Sequence, residues 1–213
     1  MRRLLALSNA ARALLPAGAA VASGDPRPPA PPLWPGENLR ASPARRAEFA
    51  AGRAAARAAM IALGHPAAAI PMQPDRAPLW PPGLVGSITH SATACLAAVL
   101  PIPALIGIDL EPATALETNL WSTILRPEEQ AWLQGRADAG LLAKQIFSAK
   151  EATYKAQYPV SKTIFGFEAI RISLTATDFT ATFTTSISGF HKGSTLHGRH
   201  CLTENHILTV VAP

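Results

Sequence analysis

The chain has 213 residues, 48% of them hydrophobic and 15% charged, which is enough to bury a core as one domain or two small ones and too apolar for a disordered chain despite 20 prolines. Its net charge of +5 is uneven: residues 1–105 carry ten basic groups, all arginine, against four acids, whereas residues 106–213 carry nine against ten. That asymmetry suits a protein that grips phosphates with one half and a metal with the other, while Cys95 and Cys201, with no Cys-x-x-Cys pattern, exclude a disulfide framework and read as reduced thiols.

Met1-Arg2-Arg3 followed by leucines and alanines has the look of a leader, but Arg12 interrupts the apolar stretch. Leu4, Leu7, Ala11, Leu14 and Leu15 recur at helical spacing instead, so an amphipathic first helix is expected, then an extended segment over 18–22. No stretch is long enough to cross a bilayer, and a cytoplasmic protein without membrane contact is the expectation.

Ser42 as N-cap, Pro43 at the first helical position and Gly64 as a stop predict a helix over 43–63. Arg53 falls on one stripe with Phe49, Ala56 and Met60. An arginine among apolar neighbours becomes enclosed, and an enclosed guanidinium meets a carboxylate or a phosphate. Arg46 and Arg57 are expected to be solvated. Nucleic-acid binding would need aromatics interleaved with the arginines, and residues 40–57 offer only Phe49.

A proline-rich connector spans 67–82, with Arg76 reading as a loop charge. The block 80–91, Trp-Pro-Pro-Gly-Leu-Val-Gly-Ser-Ile-Thr-His-Ser, then presents Thr89, His90 and Ser91 beside a glycine that would let backbone approach a ligand. Alone, a histidine in such an apolar strand is more often structural.

In 106–110, Ile106, Ile108 and Leu110 alternate with Gly107 and Asp109, and Glu111 follows, so a strand sends both carboxylates to one face before Pro112 stops it. Such a pair either faces solvent or holds a hard cation, for which magnesium with water and substrate phosphates is the natural choice. Forty residues on, Phe147-Ser148-Ala149-Lys150-Glu151-Ala152-Thr153-Tyr154-Lys155 predicts a helix over 144–158, with Phe147, Glu151, Tyr154 and Tyr158 on one stripe and Lys155 one turn beyond Glu151. A carboxylate in an aromatic stripe is costly to bury unless something pairs with it; the ordinary alternative is an exposed Glu151–Lys155 pair, worth about 0.3 to 0.5 kcal/mol. Alternation around 170–174, 179–183, 198–202 and 207–211 predicts antiparallel strands. His191, His197, His200, Cys201 and His206 invite a zinc reading, but adjacent His200 and Cys201 would face opposite ways on a strand.

The pair Gly107-Ile108-Asp109-Leu110-Glu111 and Phe147-Ser148-x-Lys150-Glu151-Ala152-x-x-Lys155 resembles the two-part signature of 4'-phosphopantetheinyl transferases of the surfactin/enterobactin-synthetase type. Block 80–91 resembles the segment that holds coenzyme A in the enterobactin-synthetase branch, and the likeness runs from about residue 15 to residue 168. The expected fold is α+β, with two similar halves, 1–105 and 106–213, each a small mainly antiparallel sheet with packed helices, hinged near 103–107; the resemblance adds a pseudo-twofold arrangement with coenzyme A in the cleft. It further implies that Arg45, Arg53, Thr89 and His90, with Arg76 as an added contact, meet the 3'-phosphate and adenosine end. Asp109, Glu111 and Glu151 would bind magnesium, and Lys155 would lie at the pyrophosphate. Glu151, directly or through water, would deprotonate a serine of an acyl or peptidyl carrier protein, with Asp109 and Lys155 completing the catalytic group. The enzyme would act as a monomer, in siderophore, nonribosomal peptide or polyketide biosynthesis, without nucleic acid. A magnesium phosphohydrolase would use the same carboxylates without a protein acceptor.

Overall fold

A computed structural model describes residues 2–27 and 29–212, and the chain divides into two compact units between Ile106 and Gly107. In the first unit, α1 (Arg2–Leu14) turns Leu7 and Ala11 fully inward. Gly18, at φ +85°, makes the turn that follows, so the extended segment starts later than its apolar run suggests: β1 is Ala20–Gly24, not 18–22.

Helix α2 (Pro43–Ala62) begins where the Ser42 hydroxyl accepts from the Arg45 amide at 3.4 Å. It ends where Gly64 takes φ +84° and the His65 amide returns to the Met60 carbonyl at 3.0 Å. Its buried face is largely alanine, which lets it lie close on a three-stranded sheet of order β1-β3-β2. The central strand β3 (Ala94–Pro101) pairs antiparallel with both β1 and β2 (Leu84–Ser91). Nothing in the alternation announces β3, because residues 94–100 are all buried, and a continuous apolar run has no strand period to detect. Gly86 on β2 does not open the backbone to a ligand, as the sequence suggested. A Cβ there would lie 2.6 Å from the Trp80 indole and 2.7 Å from the Ala98 carbonyl oxygen, so the glycine makes room for a core aromatic.

The second unit is a five-stranded antiparallel sheet of order β4-β8-β7-β6-β5. The chain enters at the edge as β4 (Gly107–Pro112) and leaves the sheet for α3 (Trp121–Ile124), α4 (Pro127–Leu133) and α5 (Ala139–Ser161). It returns as a meander, β5 (Ile170–Leu174), β6 (Asp178–Phe183), β7 (Thr195–Thr203) and β8 (His206–Val211), which brings the last strand beside the first. Each unit is thus an antiparallel sheet with a long helix on it, an α+β architecture.

Helix α5 outruns the expected 144–158 at both ends, with Pro159 inside its last turn and Lys162 at φ +50° as its left-handed cap. Its core face is small, with Ala143, Ile146, Ala149, Ala152 and Ala156 all buried. The reason is Gly107: a Cβ there would overlap the Ala152 carbonyl oxygen, so helix and strand backbones are in direct contact and only small residues fit between them. The stripe of Phe147, Glu151, Tyr154 and Tyr158 is accordingly half-buried at the flank, not in the core. Its rings pack sideways, Phe147 on Phe167 at 5.7 Å and Tyr154 edge-on to Phe165 at 5.3 Å. Among the described residues no helix is long and apolar enough to cross a membrane.

Candidate active site

Gly107, Asp109 and Glu111 share one face of β4, and α5 lies across that face because Gly107 lets it. This removes the possibility of a solvated strand face: Asp109 is only 4% exposed and Glu111 is half-buried. Each carboxylate meets a lysine from α5. Lys155 Nζ lies 2.7 Å from Asp109 Oδ1 and donates to the Ile108 carbonyl at 3.1 Å. Lys144 Nζ lies 2.7 Å from Glu111 Oε2. The other Asp109 oxygen accepts from the Ser148 hydroxyl at 2.9 Å, and that hydroxyl sits 2.9 Å from Thr209 Oγ1 on β8. Lys144, Ser148 and Thr209 were not singled out in the sequence, although the steps 144, 148, 151, 155 follow one helical face and would have flagged the first two.

Glu151 is the exception on that face. It makes no hydrogen bond or ion pair with the described residues, and Lys155 pairs with Asp109 instead of forming the surface pair with Glu151. Burial pushes the Glu151 carboxyl above the ordinary range; the charge of Lys155 opposes this, and the charges of Asp109 and Glu111 add to it.

Among the described residues no three His, Cys, Asp or Glu side chains converge on a ready-made metal site. The donor set nevertheless fits a hard divalent cation, since Asp109, Glu111 and Glu151 are all oxygen donors and the charges of Asp109 and Glu111 disfavour the charged form of Glu151, a repulsion that a cation relieves.

Lys150, four residues before Tyr154 and on the core side, is spent on structure. It is 1% exposed, 2.8 Å from Glu129 Oε2, and donates to the carbonyls of Ile124 at 2.8 Å and Phe167 at 3.0 Å, so all three of its N–H groups are used. Glu129 also accepts from the amides of Arg126 at 2.8 Å and Ile172 at 2.7 Å. This hub joins α5, α4 and β5.

In the first unit the arginines gather along α2. Arg45 contacts His90 Nε2 and pairs with Glu48 Oε2 at 2.9 Å, and His90 Nδ1 is 3.7 Å from the same oxygen. Arg53 is 6% exposed, with its guanidinium 4.2 Å over the Phe49 ring and its Nε donating to the Ile70 carbonyl at 2.7 Å. Burial lowers its pKa to about 10; the charge of Glu37 opposes this, and the charges of Arg57 and Arg45 add to it. Arg57 is not solvated, contrary to expectation: it is buried, bonded by Nη1 to both oxygens of Glu37 at 2.6 Å, and stacked 4.5 Å over Trp34. Arg46 is exposed. Thr89 neighbours His90 on β2, so its side chain leaves on the opposite face, where it is buried. Arg76 is exposed in its loop at φ +69°, and its side chain makes no hydrogen bond or ion pair with the described residues.

The histidines near the C-terminus have separate partners: His197 the Thr180 hydroxyl, His200 the Thr175 carbonyl and His206 the Glu204 carbonyl.

Comparison with known proteins covers both units. Residues 36–100 match the 4'-phosphopantetheinyl transferase N-terminal domain, and residues 105–211 match the 4'-phosphopantetheinyl transferase superfamily. The chain is 40% identical over 159 residues to the 4'-phosphopantetheinyl transferase PptT of Mycobacterium tuberculosis, covering 72% of this chain and 69% of that one. It is 37% identical over 158 residues to Npt of Nocardia iowensis, covering 68% and 71%. With enterobactin synthase component D of Salmonella typhimurium it shares 35% identity over 173 residues, covering 79% and 72%.

Proposed function

The chain belongs to the 4'-phosphopantetheinyl transferase superfamily, and from that premise we propose how its residues divide the work of moving the 4'-phosphopantetheine arm of coenzyme A onto a serine of an acyl or peptidyl carrier protein. The products are holo-carrier and adenosine 3',5'-bisphosphate. The observation that carries this reading is the β4–α5 face, where Asp109 is clamped by Lys155 and Ser148 while Glu151 makes no hydrogen bond or ion pair with the described residues.

Glu151 takes the proton from the attacking serine hydroxyl, directly or through a water, a role its raised affinity for protons supports. Lys155, held beside Asp109, stabilises the charge that develops as the serine oxygen attacks the β-phosphorus. Asp109, Glu111 and Glu151 are the residues that would hold magnesium, which when bound neutralises charge at the phosphoanhydride. In the first unit, Arg45, Arg53 and His90 receive the 3'-phosphate, supported by the contact of Arg45 on α2 with His90 on β2, the place of Arg53 further along α2, and the surplus of positive charge there. Thr89, on the opposite face of β2 from His90, and Arg76, exposed in its loop, serve the rest of the adenosine moiety. The enzyme acts as a monomer in the cytoplasm, where its two free cysteines stay reduced. The likeness to enterobactin synthase component D supports a siderophore pathway.

The test is product analysis with coenzyme A, with and without an apo-carrier. Mass spectrometry should show the carrier gaining one phosphopantetheine, dependent on added magnesium after chelator treatment. Cleavage of coenzyme A at an equal rate without carrier would instead identify a phosphohydrolase.

A further inference from the structure

The first unit contains one fully buried carboxylate, Glu37, at 0% exposure, and nothing in the assignment of coenzyme A contacts uses it. Its oxygens are completely engaged. Oε1 accepts from the Ile70 amide at 2.9 Å, Oε2 accepts from the Trp34 amide at 2.9 Å, and Arg57 Nη1 lies 2.6 Å from both. Arg57 spends a further nitrogen on the Pro32 carbonyl at 3.2 Å and rests on Trp34. The residue whose amide Glu37 holds, Ile70, offers its own carbonyl to Arg53 Nε at 2.7 Å.

Two buried arginines, one helical turn apart on α2, thus face one carboxylate, and their fates differ. Arg57 is paired. Arg53 makes one hydrogen bond with the described residues, from Nε, which leaves the four N–H donors of its two terminal nitrogens without a protein acceptor on a side chain that is 6% exposed. Among the described residues no fully buried side-chain nitrogen lacks a hydrogen-bond partner, so these terminal nitrogens reach solvent while the rest of the side chain is enclosed, and a guanidinium fork presented in that way is matched by phosphate. Glu37 is near enough for its charge to act on Arg53, yet it bonds to Arg57 instead.

We propose that Glu37 is a positioning residue for phosphate recognition: through Ile70 it fixes the Arg53 guanidinium, and by committing to Arg57 it keeps the terminal nitrogens of Arg53 available to the 3'-phosphate of coenzyme A. The inference rests on the reading of Arg53 as a 3'-phosphate ligand. Glu37 itself touches no substrate. A cation in this place would otherwise gain by pairing with the nearest buried acid; here the acid is already bonded to another arginine and two amides, and it acts on Arg53 through its charge without bonding to it.

The experiment compares KM and kcat for coenzyme A and for dephospho-coenzyme A, which lacks the 3'-phosphate, in the native enzyme, Glu37→Gln and Arg57→Lys. Glutamine keeps the shape but removes the charge and turns one acceptor into a donor facing N–H groups. Glu37→Gln should raise KM for coenzyme A about tenfold, the scale of a charge-assisted hydrogen bond, while KM for dephospho-coenzyme A and both kcat values change less than about twofold. A merely structural role would move both substrates together, and that result overturns the proposal. If Glu37→Gln does not fold, Arg57→Lys decides: it keeps a charge for Glu37 but loosens the lock, so the preference for coenzyme A should shrink, and an unchanged preference overturns the proposal. A native enzyme that uses both substrates equally well would instead refute the assignment of Arg53 to the 3'-phosphate.

Discussion

In the first unit a single buried carboxylate faces two buried arginines, whereas in the second three lysines of α5 are each matched to one acid, Lys144 to Glu111, Lys150 to Glu129 and Lys155 to Asp109. The first arrangement leaves a cation over, Arg53; the second leaves an anion, Glu151. Charges as fully paired and hydrogen-bonded as Lys150 and Glu129 hold elements together and have nothing left for a ligand. Those left over are enclosed but not neutralised, which is the state in which a side chain binds or moves a proton. The two units therefore differ in the sign of what they leave over, a guanidinium in the first and a carboxylate in the second, which on the proposed reading serve phosphate in one and a metal ion and a hydroxyl proton in the other.

The largest effect should come from breaking a fully paired charge. Lys150→Ala leaves Glu129 buried beside two carbonyls that lose their donor, and removing one partner of such a pair costs about 3 to 5 kcal/mol. Urea unfolding should show that loss, with activity falling in proportion to the folded fraction. A change under about 1 kcal/mol would mean that Lys150 is not the tie between α5 and β5.

Next comes the charge left over in the second unit. Glu151→Gln should lower carrier loading by about a hundredfold or more, the usual scale for general base catalysis, with stability nearly unchanged because Glu151 bonds to nothing described. Calorimetry should find coenzyme A binding better preserved than turnover. Loading within a few-fold of the native rate would move Glu151 into the class of structural charges.

The smallest effect belongs to the rim of the first unit. His90 is half-buried and shares Arg45 and Glu48 as partners, so His90→Ala should cost only a few-fold in KM for coenzyme A and shrink its preference over dephospho-coenzyme A, as expected for a solvent-screened contact. Equal losses for both ligands would make the histidine a prop for Arg45.

Asp109, Glu111, Glu151 and Lys155 could be placed from sequence because each sits in a regular element whose period says which way it points. Arg53 was legible for the same reason, as a charge on an apolar stripe. Arg57 was misread because its fate depends on Glu37, twenty residues away in an irregular loop that has no period at all. Lys150 lay inside the quoted motif, yet its burial depends on Glu129 and on carbonyls at 124 and 167, contacts that only the folded chain assembles. The strand β3 escaped for the opposite reason: buried on both faces, it carries no contrast to read.

Gly107 shows how an inert position can govern reactive ones. With the α5 backbone resting on it, the helix has one height above the strand, and that height sets which α5 side chains reach Asp109 and Glu111. A methyl group at this point would lift the helix away from every polar partner at once, so a survey of tolerated substitutions would find a glycine, with no functional group of its own, as intolerant as the carboxylates it serves.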